Sequence, residues 1–159
     1  MLRYGLTHPA ILAALAAAGH GSRVLISDGH YPHTTGANPA AERVYLNLSP
    51  DRLLVTEVLD ALVDAIPIEA AAVMTPPPDR DDTSETSDTS ETSDTSDLSA
   101  PEIFAEFRAA LPGLTLDGLD RFAFYDAARG PDTALVVATG DRRTYANLLL
   151  TIGVRSEDR

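Results

Sequence analysis

The sequence contains no cysteine. Disulfides, thiolate nucleophiles and thiolate metal ligands are therefore excluded. Long apolar runs are missing too: nothing approaches the ~20 consecutive residues that a membrane-spanning helix needs. Basic residues are scarce, 12 against 24 acids, for a net charge of −12. That balance argues against nucleic acid or an anionic membrane surface as a partner. The deficit is local. Residues Asp79 to Asp97 hold eight acids and one arginine, a charge of −7, so the remainder carries −5.

What is present suits one folded unit. The 159 residues are 44 % hydrophobic, enough for one domain with a real core. The early run AILAALAAAG (10–19) faintly imitates a secretion signal, but Arg3 alone would serve as its basic region. It reads instead as a helix of the mature protein, with a cytoplasmic location as the default expectation.

Along the chain, helical and extended patterns alternate. Thr7 is placed to cap a helix with Pro9 in its first turn and Gly19 past its end. VLIS (24–27) predicts a buried strand, and Asp28 to Asn38 a loop rich in Gly, Pro, His and Thr. RVYLNL (43–48) alternates like a strand. Ser49-Pro50 opens a helix over 51–65, with Leu53, Leu54, Val58, Leu59, Leu62 and Val63 on one stripe, and Pro67 stops it. EAAAVM (69–74) predicts another strand.

Residues 75–97, TPPPDRDDTSETSDTSETSDTSD, repeat a triplet of acid, Thr and Ser. With nothing apolar to bury, the ~1–2 kcal/mol of backbone ordering entropy per residue goes uncompensated. A disordered insertion over about 76–98 is expected. A calcium loop is the alternative, but the turn glycine and closing glutamate are missing. Ser99 to Glu102 spells a capping box before PEIFAEFRAAL (101–111). LTL (114–116) is a candidate short strand and 120–130 a helix opened by Asp120. TALVVATG (133–140) and TYANLLLTIGV (144–154), joined by Asp141-Arg142-Arg143, read as an antiparallel pair. The whole predicts an α/β fold, a three-layer α/β/α arrangement around a mixed, mostly parallel sheet.

Three constellations carry chemistry. Asp28, His30 and His33 are of metal-ligand type, though no H-x-x-x-H helix or cysteine supports them. His20, flanked by Gly19 and Gly21, stands at a helix-to-strand turn open to close approach. The ordinary pKa of histidine, about 6.5, suits proton transfer at neutral pH, and a helix-terminal histidine complementing the dipole is the plain alternative. Asp28 follows the carboxyl end of a strand, where α/β sheets place ligand sites. Tyr145 and Asn147 face the same side if their segment is extended, and could bind sugar hydroxyls or simply form a half-buried edge pair. The glycines of 19–21 lack the preceding strand of a dinucleotide fingerprint.

Taken together, GHGSRVLISDGHYP (19–32), DRFAFYDAAR (120–129) and ATGDRRTYANLLLTIGV (138–154) resemble the ribose pyranase and fucose mutarotase family (RbsD/FucU). PIEAAAVM (67–74) fits as well, and the RFAFY block is closer to the fucose branch. The resemblance covers nearly the whole chain outside 75–98. It implies interconversion of monosaccharide anomers with no cofactor and no metal, in a homo-oligomer that forms rings or stacked rings, such as a decamer. It implies His20 as an acid–base residue, Tyr125 as a catalytic phenol, and Glu69 where animal relatives carry a catalytic aspartate. Asp28, Arg121, Tyr145 and Asn147 would contact the sugar. His30 and His33 depart from the commoner loop. A sugar-binding accessory of uptake without turnover, and a metal-dependent enzyme using Asp28, His30 and His33, stand as alternatives.

Overall fold

The computed structural model describes residues 5–77 and 100–155. The expected insertion at 76–98 and the repeat within it fall almost wholly outside these. The fold is built on one sheet of six strands in the order β2-β5-β1-β6-β3-β4. The strands are β1 (Arg23–Ser27), β2 (Glu42–Tyr45), β3 (Ile68–Met74), β4 (Leu116–Leu119), β5 (Thr133–Ala138) and β6 (Leu148–Ile152). β1 and β2 run parallel to β5, and β3 parallel to β4. Only β6 runs against its neighbours, β1 and β3. The sheet is thus mixed and mostly parallel.

Side chains alternate across the sheet with period two. Val24, Ile26, Ala71, Val73, Leu135, Val137, Leu148 and Leu150 face one core. Leu25, Met74, Val136 and Leu149 face the other. The first core is covered by α1 (Pro9–Ala17), α2 (Val55–Val63) and α3 (Ile103–Ala110). The second is covered by α4 (Arg121–Ala128) and by the segment holding Tyr31, Ala37 and Ala41. Each fully buried Leu, Ile or Phe contributes roughly 1.5–3 kcal/mol. Leu25, Ile26, Leu59, Leu62, Phe107, Phe124, Leu148 and Leu150 are all fully buried, so both faces of the sheet are sealed near its centre.

Several local expectations are corrected. His8, not Thr7, caps α1, its Nδ1 accepting from the Ile11 N–H at 3.4 Å. The helix expected over 51–65 starts only at Val55. Asp51 and Leu53 before it have φ of 56°, and the Asp51 N–H is drawn to the Gly140 carbonyl at 2.7 Å. Leu53, before the helix, and Val63, its last residue, leave the predicted stripe and are exposed. Ser99 of the expected capping box lies outside the described residues, and α3 begins after a Glu102 whose side chain makes no capping bond. β2 ends at Tyr45 rather than 48, and the strand near 114–116 is displaced to Leu116–Leu119. The two late strands form no hairpin: β1 lies between β5 and β6 and pairs with both. Asp120 does cap α4, its Oδ1 accepting from Phe122 and Ala123 N–H groups at 2.9 and 3.0 Å.

Candidate functional site

The topology sends four strand ends to one edge of the sheet. β1, β3, β4 and β5 all point the same way, so Asp28, Met74, Arg121 and the loop from Thr139 follow their carboxyl ends. β6 runs the other way, so Asn147, just before its start, reaches the same edge. Crevices at the carboxyl ends of parallel strands are the usual ligand sites of such sheets. Here a cavity of about 200 Å³ opens there, lined by Asp28, His30, Tyr31, Met74, Arg121, Tyr125, Thr144, Tyr145 and Asn147. That is below the ~300–1,000 Å³ of drug-sized sites and suits a small polar molecule.

Asp28 is the buried centre of this edge, 2 % exposed. Asn147 clamps it from both sides of its amide. The Asp28 N–H donates to Asn147 Oδ1 at 3.1 Å, and Asn147 Nδ2 donates to Asp28 Oδ2 at 2.8 Å. The His30 N–H donates to Asp28 Oδ1 at 2.9 Å. Burial pushes the carboxyl of Asp28 above its ordinary range, against these donors and the nearby His30. Asn147 thereby commits one donor and one acceptor position of its amide to holding Asp28, and a second of each remains.

Tyr125 is held from its own helix. Arg121, one turn earlier on α4, donates from Nε to the phenolic oxygen at 3.2 Å. The guanidiniums of Arg121 and Arg129 lie 5.5 and 5.7 Å from the ring centroid, within cation–π range. Tyr31 packs its ring edge-on against Tyr125 and Phe124. Its hydroxyl donates to the Gly36 carbonyl at 2.6 Å, and burial pushes its pKa upward. Tyr31 is thus fixed as a wall, and Tyr125 lines the cavity beside it.

Tyr145 reaches the cavity by a different route from the one the sequence suggests. Residues 144–147 are not extended: β6 starts at Leu148, and Tyr145 sits in the left-handed region with φ of 63°. Such a backbone costs about 1–3 kcal/mol for a non-glycine residue and is held only when the surroundings fix it. The turn leading to Tyr145 is tied down by Asp141, which is 0 % exposed. Its carboxylate accepts from Arg143 Nε and Nη2 at 3.0 and 2.7 Å, from the Arg143 N–H at 3.0 Å and from the Val55 N–H at 3.2 Å. Arg143 also donates to Glu106 of α3 at 2.8 Å. Burial alone would raise the Asp141 carboxyl. The arginine and backbone donors outweigh it and hold the group below its ordinary range.

Asp28, His30 and His33 do not form a ligand set. His33 Nε2 donates to the backbone oxygen of Asp28 at 3.0 Å, and His30 Nε2 donates to that of Arg142 at 3.2 Å. Among the described residues, no group of three His, Asp or Glu side chains is arranged to hold a metal ion. His33 props up the loop that carries Asp28. Burial lowers its pKa, despite the opposing bond to the Asp28 carbonyl. The unfolded chain then binds the extra proton first, so stability is full above pH ~6.5 and falls as pH drops below it through the folded value. Thermal unfolding between pH 7.5 and 5 is expected to show Tm falling, with a shallower fall in His33→Gln. Parallel Tm curves would remove His33 as the cause.

His20 and Glu69 are not in this cavity. His20 precedes β1 and Asp28 follows it, so the five-residue strand separates them by roughly 17 Å at about 3.3 Å per residue. Glu69 stands at the start of β3, on the same edge as His20. The two meet there, His20 Nε2 lying 2.9 Å from Glu69 Oε2 and 3.2 Å from Oε1. Both side chains are exposed, at 58 % and 42 %. The turn that presents His20 uses Gly21 at φ 82° and a bond from its N–H to the Ile152 carbonyl at 2.9 Å. The chain thus carries two clusters at opposite edges of one sheet.

Of the cavity residues, Met74, Thr144 and Tyr31 were not singled out in the sequence. Met74 carried a usable signal, because it ends a predicted strand as the residue before Asp28 does. Thr144 and Tyr31 carried none.

The sequence matches the family described as the RbsD / FucU transport protein family across residues 1–155. The fold recurs in the fucose mutarotase of Streptococcus pneumoniae solved in complex with L-fucose, at 22 % identity and TM-score 0.68, covering 94 % of each chain. It recurs in Bacillus subtilis RbsD complexed with D-ribose, at 17 % identity and TM-score 0.73, covering 98 % of this chain and 100 % of that one. FucU of Bifidobacterium longum is 25 % identical with TM-score 0.70, covering 94 % of this chain and 95 % of its own. A match that leaves out only the last few of 159 residues, on a sheet whose strand ends gather the quoted motifs, carries the conclusion that this chain belongs to the RbsD / FucU family.

Proposed function

We propose that the protein is a cofactor-independent monosaccharide mutarotase acting on an L-fucose-like or D-ribose-like aldose. The observation that carries this reading is the cavity in which a buried carboxylate, a guanidinium-held phenol and a strained tyrosine converge from three segments of the chain. Such a set suits a small polyol: carboxylate oxygens accept from sugar hydroxyls, and Arg121 and the phenols donate. The RFAFY block favours the fucose branch.

Anomer exchange needs little more than positioned proton transfer. A base takes the proton of the anomeric hydroxyl while an acid protonates the ring oxygen, and the ring C–O bond breaks. The C1–C2 bond rotates, and closure on the other face of the aldehyde returns both protons. Tyr125 is one transfer group in this proposal. His20, oriented by Glu69, is the other.

The distance between the two edges requires that His20 and Glu69 act on the cavity of a neighbouring copy. Their exposure supports this, since an exposed ion pair contributes at most ~1 kcal/mol to folding and both groups are free to meet a partner surface. Exposed Phe122 beside Arg121, and exposed Val154 near Glu69, offer apolar contact at the two edges. The proposal therefore includes a homo-oligomer, with the ring-like assembly that the family resemblance implies.

Exchange NMR on L-fucose and D-ribose tests the activity. His20→Ala is expected to slow exchange by about 10²–10⁴-fold, the usual contribution of a positioned proton-transfer group. Mixing unfolded His20→Ala and Asp28→Asn chains and refolding them together is expected to restore part of the rate, because some interfaces then pair an intact edge with an intact cavity. Wild-type protein without effect on exchange of either sugar defeats the proposal. Mixtures that stay inactive defeat the shared site.

A further inference from the structure

One imidazole in the cavity wall has its hydrogen-bonding state set by the backbone. His30 Nε2 lies 3.2 Å from the carbonyl oxygen of Arg142. A carbonyl can only accept, so in the neutral ring Nε2 carries the hydrogen and Nδ1 is an acceptor. The backbone N–H of the same residue is bonded to Asp28 Oδ1 at 2.9 Å. His30 is thereby tied at two points, to the Asp28 carboxylate and to the loop after β5. Nδ1 has no partner among the described residues, and the residue lines the cavity. The ring itself is bonded only to a backbone carbonyl, and its exposure leaves packing no claim on it.

We infer that His30 is a further substrate-binding residue, its Nδ1 accepting a hydrogen bond from a sugar hydroxyl next to the one held by Asp28. The inference rests on the function proposed above. Two adjacent acceptors with no hydrogen to give select a pair of hydroxyls that both donate. A sugar in which one of the two is replaced by hydrogen or a methyl ether leaves an acceptor unmet, and sites built around such bonds reject those analogues strongly. His30 thus contributes to which aldose is accepted, separately from the proton transfers.

The test is nitrogen NMR of full-length protein labelled in histidine, with the sugar whose exchange the protein accelerates. His30 is expected as the Nε2–H tautomer, with the Nδ1 resonance moving on sugar addition and Nε2 staying. His30→Phe is expected to raise KM about 10-fold or more, the loss of one hydrogen bond, with kcat within a few-fold. One monodeoxy sugar is expected to be discriminated by the wild type and not by this variant. An Nδ1–H tautomer, an Nδ1 resonance unmoved at saturating sugar, or an unchanged KM overturns the inference. If His30→Phe fails to fold, the spectra of the wild type decide. Exchange accelerated with an unmoved Nδ1 removes the role of His30 alone, whereas no acceleration of any sugar removes the mutarotase reading together with it.

Discussion

Asp28→Asn is expected to cut kcat/KM for anomer exchange by about 10²-fold while leaving Tm at pH 7 within a few degrees. The activity loss follows from the charge. A hydrogen bond to an ionised carboxylate is worth roughly 1.5–3 kcal/mol, or about 10- to 150-fold in rate when the reacting sugar depends on it. The small stability change follows from two opposed effects. Burial raises the carboxyl of Asp28, so its folded pKa lies above the unfolded one. The sign is then that of a cost: stability falls as pH rises through the raised value, and the charged form burdens the fold at neutral pH. Asparagine removes that burden. It also loses one bond of about 0.5–1.5 kcal/mol, because its amide nitrogen must face either the Asn147 amide or the His30 N–H. Exchange NMR and thermal unfolding measured on one preparation separate the outcomes. A rate equal to wild type ends the assignment of Asp28 to the sugar. A fall of more than about 10 °C makes it a structural residue instead.

The strands and helices that carry the core were legible because their patterns are long and buried. VLIS, EAAAVM and TALVVATG occur as strands within a residue or two of their expected limits. The failures share one physical cause: distant backbone contacts outrank local propensity. Asp51 to Leu54 has a helical composition, yet the pull of Gly140 and Arg142 on Asp51 holds it in a strained turn. Alanine at Gly140 would place its Cβ 2.6 Å from the Arg52 carbonyl oxygen, so the two segments are pressed together there. Similarly, Tyr145 looks like a strand residue, yet β6 starts only at Leu148, after the turn that Asp141 ties down.

The candidate site was half legible. Asp28, Arg121, Tyr125, Tyr145 and Asn147 converge as the motifs suggested. The sequence puts His20 and Asp28 in one sugar pocket and leaves open whether it closes within one subunit or across an interface; eight positions apart means opposite ends of β1 once that strand lies between. The meeting of His20 with Glu69, 49 residues away, needed the parallel course of β1 and β3 and could not be read from spacing. Asn147 shows a different limit. Its type suits a sugar, and the clamp on Asp28, which fixes its orientation, could not be read from spacing.

Asp141→Ala is expected to be the most destabilising of these changes, on the order of 3 kcal/mol, with Tm lower by about 10 °C. The loss comes from the groups left behind. The Val55 N–H, at the fully buried start of α2, loses its acceptor, at a cost of about 1–3 kcal/mol for an unsatisfied buried donor. Arg143 loses a bidentate carboxylate but remains about a third exposed, so water takes over part of its charge and only part of the ion pair counts. Asp141→Asn, which can still accept from Val55, should lose about half as much. The same variants should lose anomer exchange more steeply than stability, because the cluster fixes the left-handed turn at Tyr145. Acid provides the decisive measurement. The folded pKa of Asp141 is held below 3.8, so its stabilisation is present above that pH and is lost as pH falls through the depressed value. The gap in Tm between wild type and Asp141→Asn should therefore be constant from pH 7 to about 4 and close below it. A gap that persists unchanged into stronger acid would mean that the charge of Asp141 is not what holds this loop, and with it the wall of the cavity.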